Sequence, residues 1–406
     1  MSSATGDFKA QLGRPDNPGL LPLAERLKSI LPGQNPYVTG PPLPANSPLF
    51  FGRIQVMHEV LSVLRRPDKP GCVSLLGERR IGKSSLLNQI YQALAREPDL
   101  VSIRATARDW NQSSRRCFYT HLQRAISAAA GQAVPSEAID YPSFRDFVHS
   151  LARDYRFVLI IDEFEEMAGN SNFDGDFFSN LRALADRSEY RFSYLVSSRR
   201  PLKELCRTHD IASSSFWNIF GFKHVLGLLS GSAAQALIVE PLQHSLPSKR
   251  PPDWVYFWKK AIEPLTGRHP AFIQMAAAAY WNTLGEGHRS DRLRITMGMR
   301  DYLKDLWDMR SQEERDILIR AAAGKKAPRG LVPDDLIQRG LLTADGKPFS
   351  RLFGEVIADC LPKGKSLQET GLAARLFKPR LDLAEMAVRL RRAFKNPNKG
   401  EEESDS

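Results

Sequence analysis

The stretch CVSLLGERRIGKSSLLNQIYQAL, residues 72–94, decides the fold. An apolar run, Cys72 to Leu76, leads into Gly77, and a second glycine, Gly82, precedes Lys83, Ser84 and Ser85, after which a helical run begins. The pattern G-x-x-x-x-G-K-[ST] between a strand and a helix describes a loop that cradles phosphates. Glycine lets the backbone curl so that successive N–H groups face inward, and the helix N-terminus adds partial positive charge. The whole loop, Gly77, Glu78, Arg79, Arg80, Ile81, Gly82, Lys83, Ser84 and Ser85, is therefore the expected nucleotide cradle. Lys83 would reach the β- and γ-phosphates, the Ser84 hydroxyl would serve Mg²⁺, and Ser85 would lie near the α-phosphate.

Working outward, FVLIIDEFEEM, residues 157–167, reads as a buried strand ending in Asp162 and Glu163. An Asp at a strand's carboxyl end can hold Mg²⁺, and the adjacent Glu is placed to polarise an attacking water. That pair makes hydrolysis, not binding alone, the expected chemistry. Glu165 and Glu166 read as an acidic solvated face. The next strand, RFSYLVSS, ends in Ser197-Ser198 and is followed by Arg199-Arg200. Neighbouring strand ends border the ligand crevice of an open parallel sheet, so a serine there could sense the terminal phosphate and Arg199, ahead of Arg200, could stabilise developing charge. The same residues also suit a helix cap followed by surface arginines.

Around these motifs, short apolar runs alternate with helices from Phe50 to Leu226, which predicts an α/β core, a parallel sheet sandwiched by helices. Residues 1–48 are rich in Pro and Gly and read as an extended lead-in, the core occupies 49–229, and 230–298 reads as a small helical lid. Residues 299–362 carry helices followed by LLTADGKPFSRLF, whose Asp345-Gly346 turn makes a hairpin, so this block reads as a winged-helix domain. Residues 363–406 form a basic amphipathic helix candidate ending in the acidic, disordered EEESDS.

Composition limits the alternatives. Of 406 residues, 42% are hydrophobic and 25% charged, which excludes a disordered chain, a collagen or a coiled-coil rod. The net charge of +11 admits a polyanionic partner without requiring one. Four scattered cysteines form no CxxC pair, and none of the eight histidines forms a ligand pair at helical spacing, which argues against a disulfide framework, a structural metal or a cysteine nucleophile. The N-terminus lacks a signal-peptide layout, and the longest apolar run, Ala271 to Trp281, is too short to span a bilayer, so a cytoplasmic location without membrane action is expected.

Taken together, the motifs resemble those of the STAND branch of P-loop ATPases, specifically the bacterial novel STAND kind, close to the AAA+ and origin-recognition ATPases. NPYVTGPPLPANSPLFFGR, residues 35–53, resembles the family's lead-in. That resemblance implies that Phe51, Gly52 and Arg53, and more weakly Tyr37, lie on the base side of the nucleotide. Ile54 stands where the family usually has an acidic residue. HVLGLLSGSAAQALIVEPL, residues 224–242, resembles the passage into the lid, and LTGRHPAFIQ resembles the lid's G-x-x-P phrase, which implies that Pro270 packs near the nucleotide. From spacing alone, Gly267 and Pro270 equally mark a turn and a helix start. DLIQRGLLTADGKPFSRLFGEVI resembles the family's winged-helix module.

The resemblance implies a regulatory switch that binds and slowly hydrolyses ATP with Mg²⁺, its nucleotide state setting the positions of lid and winged helix and assembly with itself or a separately encoded effector protein. A DNA-associated ATPase gripping phosphate backbone with the winged helix and basic tail is the alternative. A nucleotide-binding scaffold without turnover is the third reading.

Overall fold

The computed structural model describes residues 19–209, 211–246, 254–283, 291–325 and 330–361. The expected basic tail, with its acidic end, lies outside the described residues. Five strands, β1 (Val73–Gly77), β2 (Leu100–Thr106), β3 (Arg156–Asp162), β4 (Phe192–Ser198) and β5 (Phe222–Leu226), form one sheet. Its order is β2-β3-β4-β1-β5 and every pairing is parallel. The α/β reading therefore holds.

Side chains along a strand alternate between faces, and both faces of this sheet are dry. Val158 and Ile160 of β3 belong to one core with Leu86, Leu87 and Ile90 of the helix Lys83–Leu94. Leu159 and Ile161 belong to the other, an aromatic core built by the helices Arg115–Ala129, Tyr141–Leu151 and Gly175–Asp186. Burial on both sides is why β3 reads as a continuous apolar run.

The first face also carries the elements outside the α/β core. The lid helices, the helices beyond residue 300 and the described lead-in join the same apolar cluster. The lead-in has little regular structure beyond the short helix Leu23–Leu27, yet order begins well before Phe50: Leu20, Leu23, Leu27, Ile30, Tyr37 and Leu43 are all buried. Its backbone is fastened by side chains of the helix Lys83–Leu94, with Asn88 Nδ2 donating to Leu43 O (2.7 Å) and Gln89 Nε2 to Pro44 O (2.7 Å). Proline removes donors but leaves carbonyls free to accept, which is how so proline-rich a segment still packs.

Three local features refine the expected blocks. Within the 230–298 block, Trp254–Phe257, a widened turn at Trp258–Ile262 and Glu263–Thr266 follow one another without a break, right-handed helical backbone at both junctions. Pro264 lacks an N–H and crowds the carbonyl four residues back, which a widened turn relieves. The helix Asp291–Asp308 is continuous across the 298/299 boundary expected between the second and third blocks. In the third block, Gln312–Ala322 and Leu331–Gln338 precede the Asp345-Gly346 turn, where the hairpin amounts to a single antiparallel bridge between Leu342 and Pro348, followed by Arg351–Asp359.

Candidate nucleotide site

The phosphate loop leaves the carboxyl end of β1 and closes on the helix Lys83–Leu94, whose N-cap is Gly82 at φ +103°. A side chain at that φ is strained, which accounts for glycine there. Lys83 is buried, and its Nζ donates to the carbonyls of Gly77 (2.6 Å) and Glu78 (3.1 Å). Burial lowers its pKa, opposed by the negative charges of Glu165, Asp162 and Glu78. A polyphosphate beside it would favour the charged form for the same reason.

Because β4 lies between β1 and β3, its last residues stand between the loop and the acidic pair. Ile161 pairs with Val196, so Asp162 and Ser197 come level, and Ser197 Oγ donates to Asp162 Oδ1. The other oxygen of Asp162 faces Arg104 Nη2 at 3.9 Å. Glu163 adopts a left-handed backbone (φ +56°), which turns the chain at the strand end. Arg108 grips its carboxylate with both arms, Nε to Oε2 at 2.6 Å and Nη2 to Oε1 at 2.9 Å. Burial pushes the Glu163 pKa up, while Arg108 pulls it down.

A cleft of about 440 Å³ gathers most of the expected residues: Phe51, Arg53, Arg79, Arg80, Ile81, Gly82, Lys83, Ser84, Ser85, Asp162, Glu163, Arg199 and Pro270 all line it. Its opposite wall comes from the lead-in, Val38 to Leu43, with the lid residues Leu237, Gln274 and Met275. Ser85 accepts from the Leu43 amide at 3.0 Å, so its hydroxyl serves the lead-in.

Some expected residues serve other contacts. Gly77, Glu78 and Gly52 do not line the cleft. A Cβ on Gly52 would lie 2.5 Å from that of Ala233, so this glycine lets the lid helix Gly231–Ser245 approach. Arg53 lines the cleft but sends its guanidinium to the carbonyls of Ile81 (3.3 Å) and Gly227 (2.5 Å). Tyr37, the weaker base-side candidate, is buried, and its hydroxyl donates to Ile238 O at 2.9 Å. Arg199 is held by Glu165, to which both its amide and its Nε donate, the latter at 3.2 Å. Glu165 thus corrects the solvated-face reading: its side chain is 13% exposed and lines the cleft. Arg200 turns away to Glu204.

The phosphate loop is also tied to the third block. Glu78, with a side chain only 2% exposed, binds Arg310 (3.1 Å) and Arg339, and the same arginines share Glu314. Arg79 pairs with Asp305 at 3.1 Å. Arg80 stacks on Tyr302, its guanidinium carbon 3.9 Å from the ring centroid, and donates to the hydroxyl at 2.6 Å. These partners, like Arg104 and Arg108, were not legible as site residues in the sequence, although both β2-end arginines had the signal of lying at a carboxyl strand end.

The donor set suits magnesium. Among the described residues no group of three or more His, Cys, Asp or Glu side chains could hold a metal, but Mg²⁺ in such sites takes one or two carboxylates, with substrate phosphates and water completing its shell. Ser84 and Asp162 in one cleft meet that requirement.

The family model described as Novel STAND NTPase 2 matches residues 139–305, and that of an AAA domain matches residues 65–205. Among solved structures, a Walker-type ATPase of Pyrococcus abyssi is similar at TM-score 0.54 and 16% identity, covering 80% of this chain and 99% of that one. The ORC2 protein of Aeropyrum pernix, in ADPNP–ADP complexes, aligns at TM-score 0.45 and 14% identity over 75% of this chain and 91% of that one. A search of curated proteins found no match. No helix among the described residues is long and apolar enough to cross a membrane. A phosphate loop and an acidic pair lie on one parallel sheet, the loop inside the AAA-domain match and the acidic pair inside both matches, which marks the chain as STAND-like, a P-loop NTPase fold with an AAA-type core.

Proposed function

We propose that the chain is a nucleotide-operated switch that binds ATP in this cleft, hydrolyses it slowly, and reports its nucleotide state through the third block, here read as a winged helix, to a copy of itself or to an effector protein. The observation that carries this reading is the set of contacts made by Glu78, Arg79 and Arg80: three successive residues of the phosphate loop bind the third block. A ligand that rearranges the loop must alter those contacts, and a switch needs that kind of differential interaction between two states.

In this reading Lys83 and the loop amides bind the phosphates, with Gly77 and Ile81 shaping the loop. The Ser84 hydroxyl and the Asp162 carboxylate would hold Mg²⁺, whose chemistry there is charge neutralisation across the terminal phosphates. Glu163 orients the attacking water and accepts its proton. Its engagement by Arg108 supports a slow basal rate, because a carboxylate held at both oxygens by a guanidinium is a poor acceptor for water. Arg199 is the candidate for stabilising charge on the transferred phosphoryl group. A cytoplasmic setting belongs to the same proposal.

The test is ATP turnover by wild type and Glu163→Gln, with and without duplex DNA, while light scattering follows mass. Slow Glu163-dependent turnover, indifferent to DNA and accompanied by ATP-dependent assembly, is the expected result. Turnover stimulated by DNA would replace the switch with the DNA-associated reading, and turnover unchanged in Glu163→Gln would remove Glu163 from the chemistry.

A further inference from the structure

Gln274 is a polar side chain, 7% exposed, in the wall of the cleft, and its Oε1 is buried without a hydrogen-bond partner among the described residues. An unpartnered buried acceptor is destabilising and calls for an explanation. A ligand donor supplies one here, because Gln274 lies one helical turn beyond Pro270 on the helix Pro270–Thr283, so both face the cleft.

The ends of that helix fix which part of a ligand Gln274 would meet. His269, immediately before it, lies within the fields of Arg80 and Arg53, beside the phosphate loop. Further along, the Ala278 carbonyl accepts from Asn35 of the lead-in at 3.2 Å. Gln274 is midway between the two, in a cleft whose lining joins the charged loop to Val38, Pro41, Pro42, Leu237 and Met275. An apolar slot with one convergent polar group is the chemistry of a heterocycle site.

We propose that Gln274 is the residue that selects the base, its carboxamide pairing with the amino-bearing edge of adenine. Glutamine reads adenine with one donor and one acceptor. With Oε1 innermost, the 6-amino group of adenine donates to it, whereas guanine sets its 6-oxygen against the same acceptor. The proposal rests on the reading of the cleft as a nucleotide site.

The experiment measures affinities for MgATP, MgGTP and inorganic tripolyphosphate in wild type, Gln274→Leu and Gln274→Glu, with thermal melting to establish folding. Wild type should prefer ATP, and Gln274→Leu should reduce the ATP:GTP affinity ratio by about tenfold or more while leaving tripolyphosphate affinity unchanged. Gln274→Glu, which keeps the acceptor, should retain the preference. An equal ratio in wild type and a folded Gln274→Leu overturns the assignment, as does a loss shared equally by all three ligands. Failure of wild type to bind any triphosphate would overturn the nucleotide reading itself, a distinct result.

Discussion

Glu78→Gln removes one charge from the contact between phosphate loop and third block. The side chains of Glu78, Arg310 and Arg339 are 2%, 4% and 10% exposed, so water does little to screen the vacancy. Removing one partner of a buried, hydrogen-bonded ion pair costs about 3–5 kcal/mol, because the other charge is left uncompensated. Glutamine still accepts a hydrogen bond and Glu314 still serves both arginines, so the lower end, about 3 kcal/mol, is the relevant figure. At 1.4 kcal/mol per tenfold, that shifts the docking equilibrium roughly 150-fold toward the undocked state. Amide hydrogen exchange reads the shift directly: helices Leu331–Gln338 and Arg351–Asp359 should exchange faster by up to that factor, while β3, in the sheet centre, should not change. Replacing the cluster as a whole, Glu78→Leu with Arg310→Met, Arg339→Leu and Glu314→Gln, should restore slow exchange, since apolar packing substitutes well for buried ion pairs and no carboxylate is then left uncompensated. Unchanged exchange in folded Glu78→Gln would refute the idea that this cluster holds the third block. Acceleration in β3 as well would mean that the core, not the docking, had been weakened.

Three further outcomes follow from the same geometry. Lys83→Ala should abolish binding of MgATP measured by calorimetry, and normal binding would remove the central assignment. Arg108→Ala should raise ATP turnover several-fold by freeing Glu163. It should also move the acid limb of the pH–rate profile upward, because Arg108 is the charge that opposes the burial-raised pKa of Glu163; a fall in turnover with an unmoved limb would make Arg108 part of the chemistry instead. His269 is fully buried with a pKa lowered to about 3 by burial first and by Arg53 next. Its unfolded pKa is near 6.5, so the unfolded state binds the extra proton between the two values and stability falls as pH drops through that window, by about 2 kcal/mol from pH 6.5 to pH 5. His269→Phe, which keeps the stack on Phe272, should lose correspondingly less stability over that interval in urea titrations.

What the sequence made legible was what local chemistry dictates. Residues 72–94 imply strand, loop and helix because each requirement of a phosphate cradle, glycine freedom, an ammonium and a hydroxyl, is met within one short segment. β3 declared itself by being apolar on both faces up to Asp162. Ser197 was legible as a strand-end serine, but its bond to Asp162 depends on the strand order, which sets β4 beside β3. The remainder of the site is long-range. Glu78 and Arg339 are 261 positions apart, and nothing local marks either as the other's partner. A phosphate loop needs small residues where phosphates approach, yet here it carries Glu-Arg-Arg, three large side chains. One carboxylate and two guanidinium groups each find a partner of complementary chemistry on the third block, Glu78 away from the cleft and Arg79 and Arg80 at its wall. If Glu78, Arg79 and Arg80 existed only to bind nucleotide, they could be exchanged for small residues without loosening the third block; their contacts predict that such an exchange loosens it.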